Sequence, residues 1–184
     1  MLKNSDELNG MREAGKLAAE VLEMITDYVK PGISTGELDE ICFKYITDVQ
    51  KAIPANVGYR GFEKTLCTSI NQVICHGIPD TNRILKSGDI MNIDVTVIKD
   101  GWHGDTSKMF LIGKAQSHNE RLVRVTQECL YKGIEAAKPG ARLGDIGNAI
   151  QIHAEKNYYS VVEEYCGHGI GKIYHDEPQI LHYG

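Results

Sequence analysis

The sequence lacks several features that would place it in common protein classes. No apolar run is long enough to span a membrane. The formal net charge is −5 and the sequence contains no run of basic residues, which argues against general nucleic-acid binding. No Cys-x-x-Cys pair occurs and the five cysteines make an odd number, which weakens both a disulfide framework and a thiolate zinc site. The acidic start of the chain has neither the apolar segment of a signal peptide nor the composition of a transit peptide. We therefore expect a cytoplasmic protein without a membrane or nucleic-acid partner.

What the chain does contain is an internal repeat. Apolar residues recur at helical spacing over about residues 5 to 29, a Lys-Pro-Gly sequence follows, and a capping-box sequence opens a second helix over about 34 to 51. The same order returns 108 positions later. One helix is predicted over about 119 to 138, a second Lys-Pro-Gly sequence ends it, and another helix follows and ends at about residue 157. Matching helices around a matching tripeptide indicate a duplication and hence a pseudo-two-fold fold.

The repeat defines the predicted domain organisation. A chain of 184 residues with 42% apolar content suits one domain with a sizeable core. We predict a single α+β domain over residues 1–184, in which 1–117 form the first repeat and 118–184 an incomplete second repeat.

Two aspartates interrupt a predicted β-hairpin over residues 88 to 113. β-Branched and apolar residues favour a strand over 90 to 98, Asp-Gly supplies the turn, and a second strand is predicted over 106 to 112. Antiparallel pairing would bring Asp94 and Asp105 close together. Converging carboxylates repel, raise one pKa or share a metal ion. There are two structural alternatives: Asp105 could cap a turn, and Asp94 could form an ion pair with an arginine or lysine. Two aspartates on facing strands nevertheless favour a metal ion.

Three histidines lie beside glycines or turns. His168 stands in Gly-His-Gly-Ile-Gly, His175 follows seven residues later, and His76 precedes a glycine. The glycines allow a ligand to approach the backbone closely, although turn chemistry alone would use the same residues. Together with the two aspartates, the histidines are typical of a metallohydrolase.

Three motifs then make the sequence similar to a known family. CHGIPD, GDIMNIDVTVIKDGWHGDTSKMF and EYCGHGIGKIYHDEPQILHY resemble the type I methionine aminopeptidases of the bacterial and organellar kind, in order and spacing, over almost the whole chain. The resemblance implies the pita-bread (creatinase/aminopeptidase) fold, in which helices cover a pseudo-two-fold antiparallel sheet. It also implies a monomeric enzyme of protein maturation, which removes the initiator methionine from nascent chains at the ribosome when the next residue is small.

The resemblance carries site roles over to matching positions. Asp94 would bind one of two divalent metal ions (Co, Mn, Fe or Zn), Asp105 would bridge both, and His168 would bind the other. His76 would contact the scissile amide and His175 the scissile carbonyl as it becomes an oxyanion. A hydroxide bridging the two metal ions is the implied nucleophile.

Further implied positions concern the substrate side chain and a monovalent cation. The expected methionine pocket is lined by Tyr59, Phe62, Cys67 and Tyr174. A Na⁺ or K⁺ ion would be held by the carbonyls of Asn71 and Val73. Three positions depart from the family pattern: Asn56 stands where a cysteine is common, Phe62 where a tyrosine is common, and Tyr174 where a phenylalanine is common.

The repeat and the resemblance agree that the second half is incomplete at Gly184. The family uses two further glutamate ligands, one of them the proton shuttle, and both belong to strands beyond this position. We therefore expect residues 1–184 alone to bind metal poorly and to cleave little or nothing. A proline-specific aminopeptidase of the same fold and a non-catalytic pita-bread binding module are the alternatives.

Overall fold

The computed structural model describes residues 4 to 184, and the chain divides into two compact units. The first comprises Met1–Gln116 and Gly171–Tyr174, and the second comprises Ser117–Ile170 and His175–Gly184. Both units contain helices and antiparallel strands, so the predicted α+β class is confirmed. Within the described residues, no helix combines the length and apolar character that crossing a membrane requires.

Helix α1, Ser5–Ile25, covers the sheet of the first unit. Asn4 caps its start by accepting a hydrogen bond from the Glu7 amide at 2.9 Å. The helix ends four residues earlier than predicted, because the chain turns over residues 26 to 28, where Thr26 Oγ1 donates to the Leu22 carbonyl at 2.7 Å. Its buried side chains lie at helical spacing and form one face: Ala14, Leu17, Ala18, Val21, Leu22 and Ile25.

Helix α2, Thr35–Lys44, begins at the predicted capping box. The Ser34 amide donates to Glu37 Oε2 at 2.9 Å, and the Glu37 amide donates to Ser34 Oγ at 3.1 Å. The predicted single helix to residue 51 is wrong at its end, because Tyr45–Val49 forms a π-helical turn.

Four antiparallel strands form the sheet of the first unit: β1 Ile53–Pro54, β2 Leu66–Ile70, β3 Ile90–Lys99 and β4 Trp102–Leu111. Strand β3 is central, because β4 pairs along its whole length while β2 and β1 pair with successive parts of it. Strand β2 ends at Ile70, where the chain leaves the sheet.

The hairpin of β3 and β4 forms as predicted, although β4 begins earlier than residue 106. Its loop consists of Asp100 and Gly101, whose φ angles of 51° and 82° are the left-handed values that a tight two-residue turn requires. A short turn lets pairing start at Lys99 and Trp102.

Glycine allows α1 to approach β4 closely. A Cβ atom at Gly104 would stand 2.1 Å from the Ala14 carbonyl oxygen, and one at Gly10 would stand 2.4 Å from the Trp102 ring. The core between helix and sheet is continuous with α2 and is apolar throughout, including Ile25, Leu38, Ile46, Leu66, Met91, Ile93, Val95 and Val97.

The second unit repeats the helix pair. Helices α3, Ser117–Ala136, and α4, Leu143–Lys156, pack around Val125, Cys129 and Ala154. Helix α4 starts 108 residues after α2, and an acidic residue again accepts the hydrogen bond of the first turn, from the Arg142 amide to Asp145 at 2.8 Å. Strands β5, Gly167–Gly169, and β6, Asp176–Ile180, form a two-stranded antiparallel sheet.

Candidate functional site

Asp94 and Asp105 lie on the same face of the β3–β4 hairpin. Asp94 pairs with Ser107 and Thr96 pairs with Asp105, so the two aspartates are diagonal neighbours offset by two residues. Neighbouring Gly104 points to the opposite face, against α1. The prediction that the two carboxyl groups converge is confirmed, and their side chains are hydrogen-bonded to each other.

The carboxyl pair has the electrostatics of a cation site. The pKa of Asp94 is raised from 3.8 to about 7 by three effects together: burial is the largest, and the negative charge of Asp105 and the hydrogen bond between the two groups act in the same direction. These influences, rather than an arginine or lysine, dominate the ionisation of Asp94. Near neutral pH the pair therefore holds a proton, and a divalent cation with oxygen ligands could replace it.

A line of polar contacts leads away from Asp105 on this face. The Thr96 hydroxyl donates to Asp105 Oδ1 at 2.9 Å and lies 2.6 Å from the Tyr174 hydroxyl. The Tyr174 hydroxyl in turn donates to Asn56 Oδ1 at 2.7 Å. We call the two hydroxyl groups of Thr96 and Tyr174 the hydroxyl bridge. Sequence reasoning missed Thr96, although the two-residue period of a strand places it on the face of Asp94.

Two of the predicted pocket residues, Tyr59 and Tyr174, contact each other in the first unit. The Tyr59 and Tyr174 rings lie 4.9 Å apart, with a tilt of 53° between their planes. Cys67 pairs with Asp94 across β2 and β3, and burial together with the nearby carboxylate raises the pKa of its thiol to about 12. Cys67 is therefore a neutral thiol rather than a nucleophile. Phe62 is half-buried.

His103 holds the segment that carries Tyr174. The His103 backbone amide donates to the Gly171 carbonyl at 2.9 Å, and its Nδ1 atom lies 2.9 Å from the same oxygen. The ring of His103 also stacks on Tyr174 at 5.5 Å between centroids. A short return segment of the chain is thereby fixed on β4 in the first unit.

His76 lies in the loop after β2, next to the strand that carries Cys67. The loop returns along β2, where the Gly77 carbonyl accepts from the Thr68 amide at 2.7 Å and the Gly77 amide donates to Ser69 Oγ at 3.2 Å. Gly77 has no room for a side chain, since a Cβ atom would stand 2.2 Å from the Thr68 carbonyl oxygen. The left-handed φ of 56° at His76 marks the bend that presents this side chain.

The two remaining histidines meet in the second unit. His168 lies on β5 and His175 directly precedes β6, and their ring centroids are 4.4 Å apart. His168 Nδ1 lies 2.9 Å from the Gly169 carbonyl oxygen. Over residues 4 to 184, no group of three or more His, Cys, Asp or Glu side chains is arranged to hold a metal ion.

Asn71 and Val73 form part of the same loop after β2. The Asn71 side chain donates to Asp89 Oδ1 at 2.8 Å and accepts from the Ile90 amide at 3.0 Å, which ties the loop to the start of β3. The Val73 amide donates to the Ile70 carbonyl at 3.1 Å. The monovalent-cation role of their carbonyls stays a prediction.

Comparisons with known proteins agree on one family. The model of metallopeptidase family M24 matches residues 9–184. A methionine aminopeptidase of Salmonella typhimurium is 62% identical over 182 residues, which are 99% of this chain and 69% of that protein. The crystal structure of methionine aminopeptidase from Rickettsia prowazekii matches with a TM-score of 0.97 and 54% identity, over 100% of this chain and 73% of that one.

A more distant structure shares the fold alone. The X-Pro aminopeptidase from Thermotoga maritima matches with a TM-score of 0.80 at 16% identity, over 99% of this chain and 49% of that one. The predicted pita-bread fold is confirmed by the close structural match, and the identities favour the methionine group over the proline group. The chain therefore belongs to metallopeptidase family M24 and, within it, to the methionine aminopeptidases.

Proposed function

We propose that these residues belong to an enzyme that removes an N-terminal methionine from peptides with the help of two divalent metal ions. Asp94, Asp105 and His168 are the ligands that the family resemblance proposes. The observation that supports the metal role best is the hydrogen-bonded pair of Asp94 and Asp105, because the raised pKa of Asp94 marks a place where positive charge is needed. Carboxylate and imidazole ligands accept Co, Mn, Fe or Zn.

The chain's own residues would prepare the reaction around those ions. When bound, the cations polarise the scissile carbonyl and lower the pKa of water. Because Asp94 holds a proton near neutral pH, cation binding releases that proton and becomes stronger as the pH rises. His76 is proposed to bind the scissile amide, and His175 to donate a hydrogen bond to the carbonyl oxygen as negative charge develops on it.

The pocket proposal follows from the surfaces around Tyr174. The rings of Tyr59 and Tyr174 contact each other, and the neutral thiol of Cys67 lies on the neighbouring strand. Aromatic and sulfur surfaces suit the thioether of a methionine side chain. With Phe62 as the fourth lining residue, we expect a mostly apolar pocket that is polar on one side.

The partners are proposed from the family. Nascent peptides that carry methionine before a small residue are the expected substrates, at the ribosome and in the cytoplasm, and the enzyme is expected to act as a monomer. The 62% identity to a bacterial methionine aminopeptidase supports the proposed substrates. A Na⁺ or K⁺ ion at the carbonyls of Asn71 and Val73 belongs to the same proposal.

Metal binding is the first test of this function. Calorimetric titration of residues 1–184 with Mn²⁺ or Co²⁺ should show weak binding that Asp94→Asn removes. Asp89→Asn is the matched control, because Asp89 lies directly before β3 and accepts hydrogen bonds from the Asn71 side chain and the Lys86 amide instead of contacting a second carboxylate. Equal binding by the wild type and Asp94→Asn would contradict the metal role.

Turnover is the second test. A chimera in which residues 1–184 replace the matching part of the Salmonella typhimurium relative should release methionine from a Met-Ala-Ser peptide. It should not release the first residue of an Ala-Pro-Ser peptide. Preference for the proline peptide would favour the proline-specific alternative. Metal-free binding of peptides without cleavage would favour the non-catalytic module.

A further inference from the structure

The hydroxyl bridge has two protons, and each of them has one acceptor. The Thr96 hydroxyl donates its proton to Asp105 Oδ1 at 2.9 Å. The Tyr174 hydroxyl donates its proton to Asn56 Oδ1 at 2.7 Å. The 2.6 Å contact between the two hydroxyl oxygens therefore has no proton of its own. It follows that Asn56, and not Thr96, holds the Tyr174 hydroxyl by a hydrogen bond.

Asn56 is itself held in one orientation. Its Nδ2 atom donates to the Thr65 carbonyl at 3.1 Å, and this bond leaves Oδ1 as the end of the amide that faces Tyr174. The Thr65 amide donates to Asp39 Oδ1 at 2.8 Å, so the residue that orients Asn56 is tied to helix α2. Asn56 is only 7% exposed, and an acceptor this buried is unfavourable without a donor. The amide is therefore a fixed anchor for the tyrosine hydroxyl.

The ring of Tyr174 contacts two other aromatic rings. Tyr59 lies 4.9 Å away with a tilt of 53°, and His103 stacks at 5.5 Å with an angle of 18° between the planes. Ring contacts tolerate sliding, whereas the hydrogen bond to Asn56 fixes the far end of the side chain. Positions 56 and 174 are also two of the three that depart from the family pattern. A phenylalanine at 174 would have no hydroxyl with which to reach Asn56.

We propose that Asn56 is a positioning residue of the methionine pocket, which fixes the Tyr174 ring through the tyrosine hydroxyl and thereby excludes branched side chains. This role rests on the proposed function, in which the Tyr174 ring is a wall of that pocket. A fixed ring cannot move aside for a side chain that branches at Cγ, such as leucine, whereas unbranched methionine is narrower at this point. Pockets discriminate between apolar side chains of similar size by about 10- to 200-fold, and a ring without its anchor should lose part of this discrimination.

The first experiment compares Met-Ala-Ser, norleucine-Ala-Ser and Leu-Ala-Ser peptides in the chimera. Asn56→Ala and Tyr174→Phe should each lower the ratio of kcat/KM for methionine over leucine about 10-fold. The ratio for methionine over norleucine should change less than about twofold, because both side chains are unbranched, and kcat for the methionine peptide should change less than about threefold. Tyr158→Phe is the matched control, since the Tyr158 side chain is 93% exposed. An unchanged methionine-over-leucine ratio in Tyr174→Phe would overturn the proposal.

The double variant tests whether the two residues act as one unit. Each single change removes the same hydrogen bond, so Asn56→Ala combined with Tyr174→Phe should lower the methionine-over-leucine ratio no further than either change alone, within about twofold. Effects that multiply would show that the two residues act separately and would also overturn the proposal. If Asn56→Ala does not fold, Tyr174→Phe alone decides the outcome. Bound metal should change less than about twofold, because Thr96 still donates to Asp105 in every variant.

A measurement without substrate or metal separates this role from the proposed function. In the presence of EDTA, the side-chain ¹H–¹⁵N resonances of Asn56, identified by their loss in Asn56→Ser, should shift in Tyr174→Phe and stay in place in Tyr158→Phe. Unshifted resonances in Tyr174→Phe would refute the anchoring of Tyr174 by Asn56. A chimera that releases no methionine would refute the proposed function, and the Asn56 resonances would still decide whether Asn56 holds Tyr174.

Discussion

Asp94→Asn should stabilise the metal-free protein at pH 8 while it removes metal binding. The folded state raises the pKa of Asp94 from 3.8 to about 7, so the ionised carboxylate is less favourable in the folded chain than in the unfolded one. Each pKa unit corresponds to about 1.4 kcal/mol, which sets an upper limit of about 4 kcal/mol. Rotation of the side chains and entry of water reduce this, and we expect a gain of about 1 to 3 kcal/mol in the free energy of unfolding.

The pH dependence has a definite sign. Between about pH 4 and pH 7 the folded chain holds a proton on Asp94 that the unfolded chain has lost, so this group's contribution to stability falls as the pH rises. Asparagine does not titrate. The stability difference between Asp94→Asn and the wild type should therefore grow from about pH 4 to pH 8 and then level off.

Urea unfolding in EDTA at pH 5 and pH 8, followed by circular dichroism, measures this difference. Asp89→Asn is the matched control with the opposite sign. Although partial burial acts to raise the pKa of Asp89, hydrogen bonds from Asn71 and the Lys86 amide lower it, so its carboxylate stabilises the fold at neutral pH. Loss of stability in Asp94→Asn at pH 8, or a difference that is the same at both pH values, would refute the reasoning about the carboxyl pair.

The remaining predictions concern helix packing and the proposed catalytic histidines. Gly10→Ala should destabilise the protein by about 1 to 3 kcal/mol, because the new Cβ would stand 2.4 Å from the Trp102 ring. Gly15 lies on the same helix with open space around it, so Gly15→Ala should stabilise the protein by about 0.5 to 1 kcal/mol. Thermal unfolding of the pair checks this, and equal effects would contradict the packing of α1 on β4. In the chimera, His76→Ala and His175→Ala should lower turnover by 10- to 1,000-fold and change the bound metal by less than twofold. Loss of metal with turnover per bound ion unchanged would make these histidines ligands instead.

The local architecture could be predicted from the sequence because local interactions determine it. The capping box at Ser34 and Glu37 and the Asp-Gly turn at 100 to 101 are formed by neighbouring residues, and both appear in the structure. The hairpin turn also fixes the register, so the meeting of Asp94 and Asp105 follows from sequence spacing. The ends of the long helices were predicted less well, since tertiary packing decides where a helix stops.

The hydrogen-bond partners of the site were decided by the tertiary structure. Thr96 is an ordinary strand residue in the sequence, and only the return of the chain at 171 to 174, held by His103, places the Tyr174 hydroxyl against it. A contact between residues 78 positions apart leaves no periodic pattern in the sequence, because it depends on how complete helices and strands pack against one another. The sequence thus determined the elements, the carboxyl pair and the family pattern. The fold alone decided that the Tyr174 hydroxyl would lie next to Thr96, a partner of Asp105.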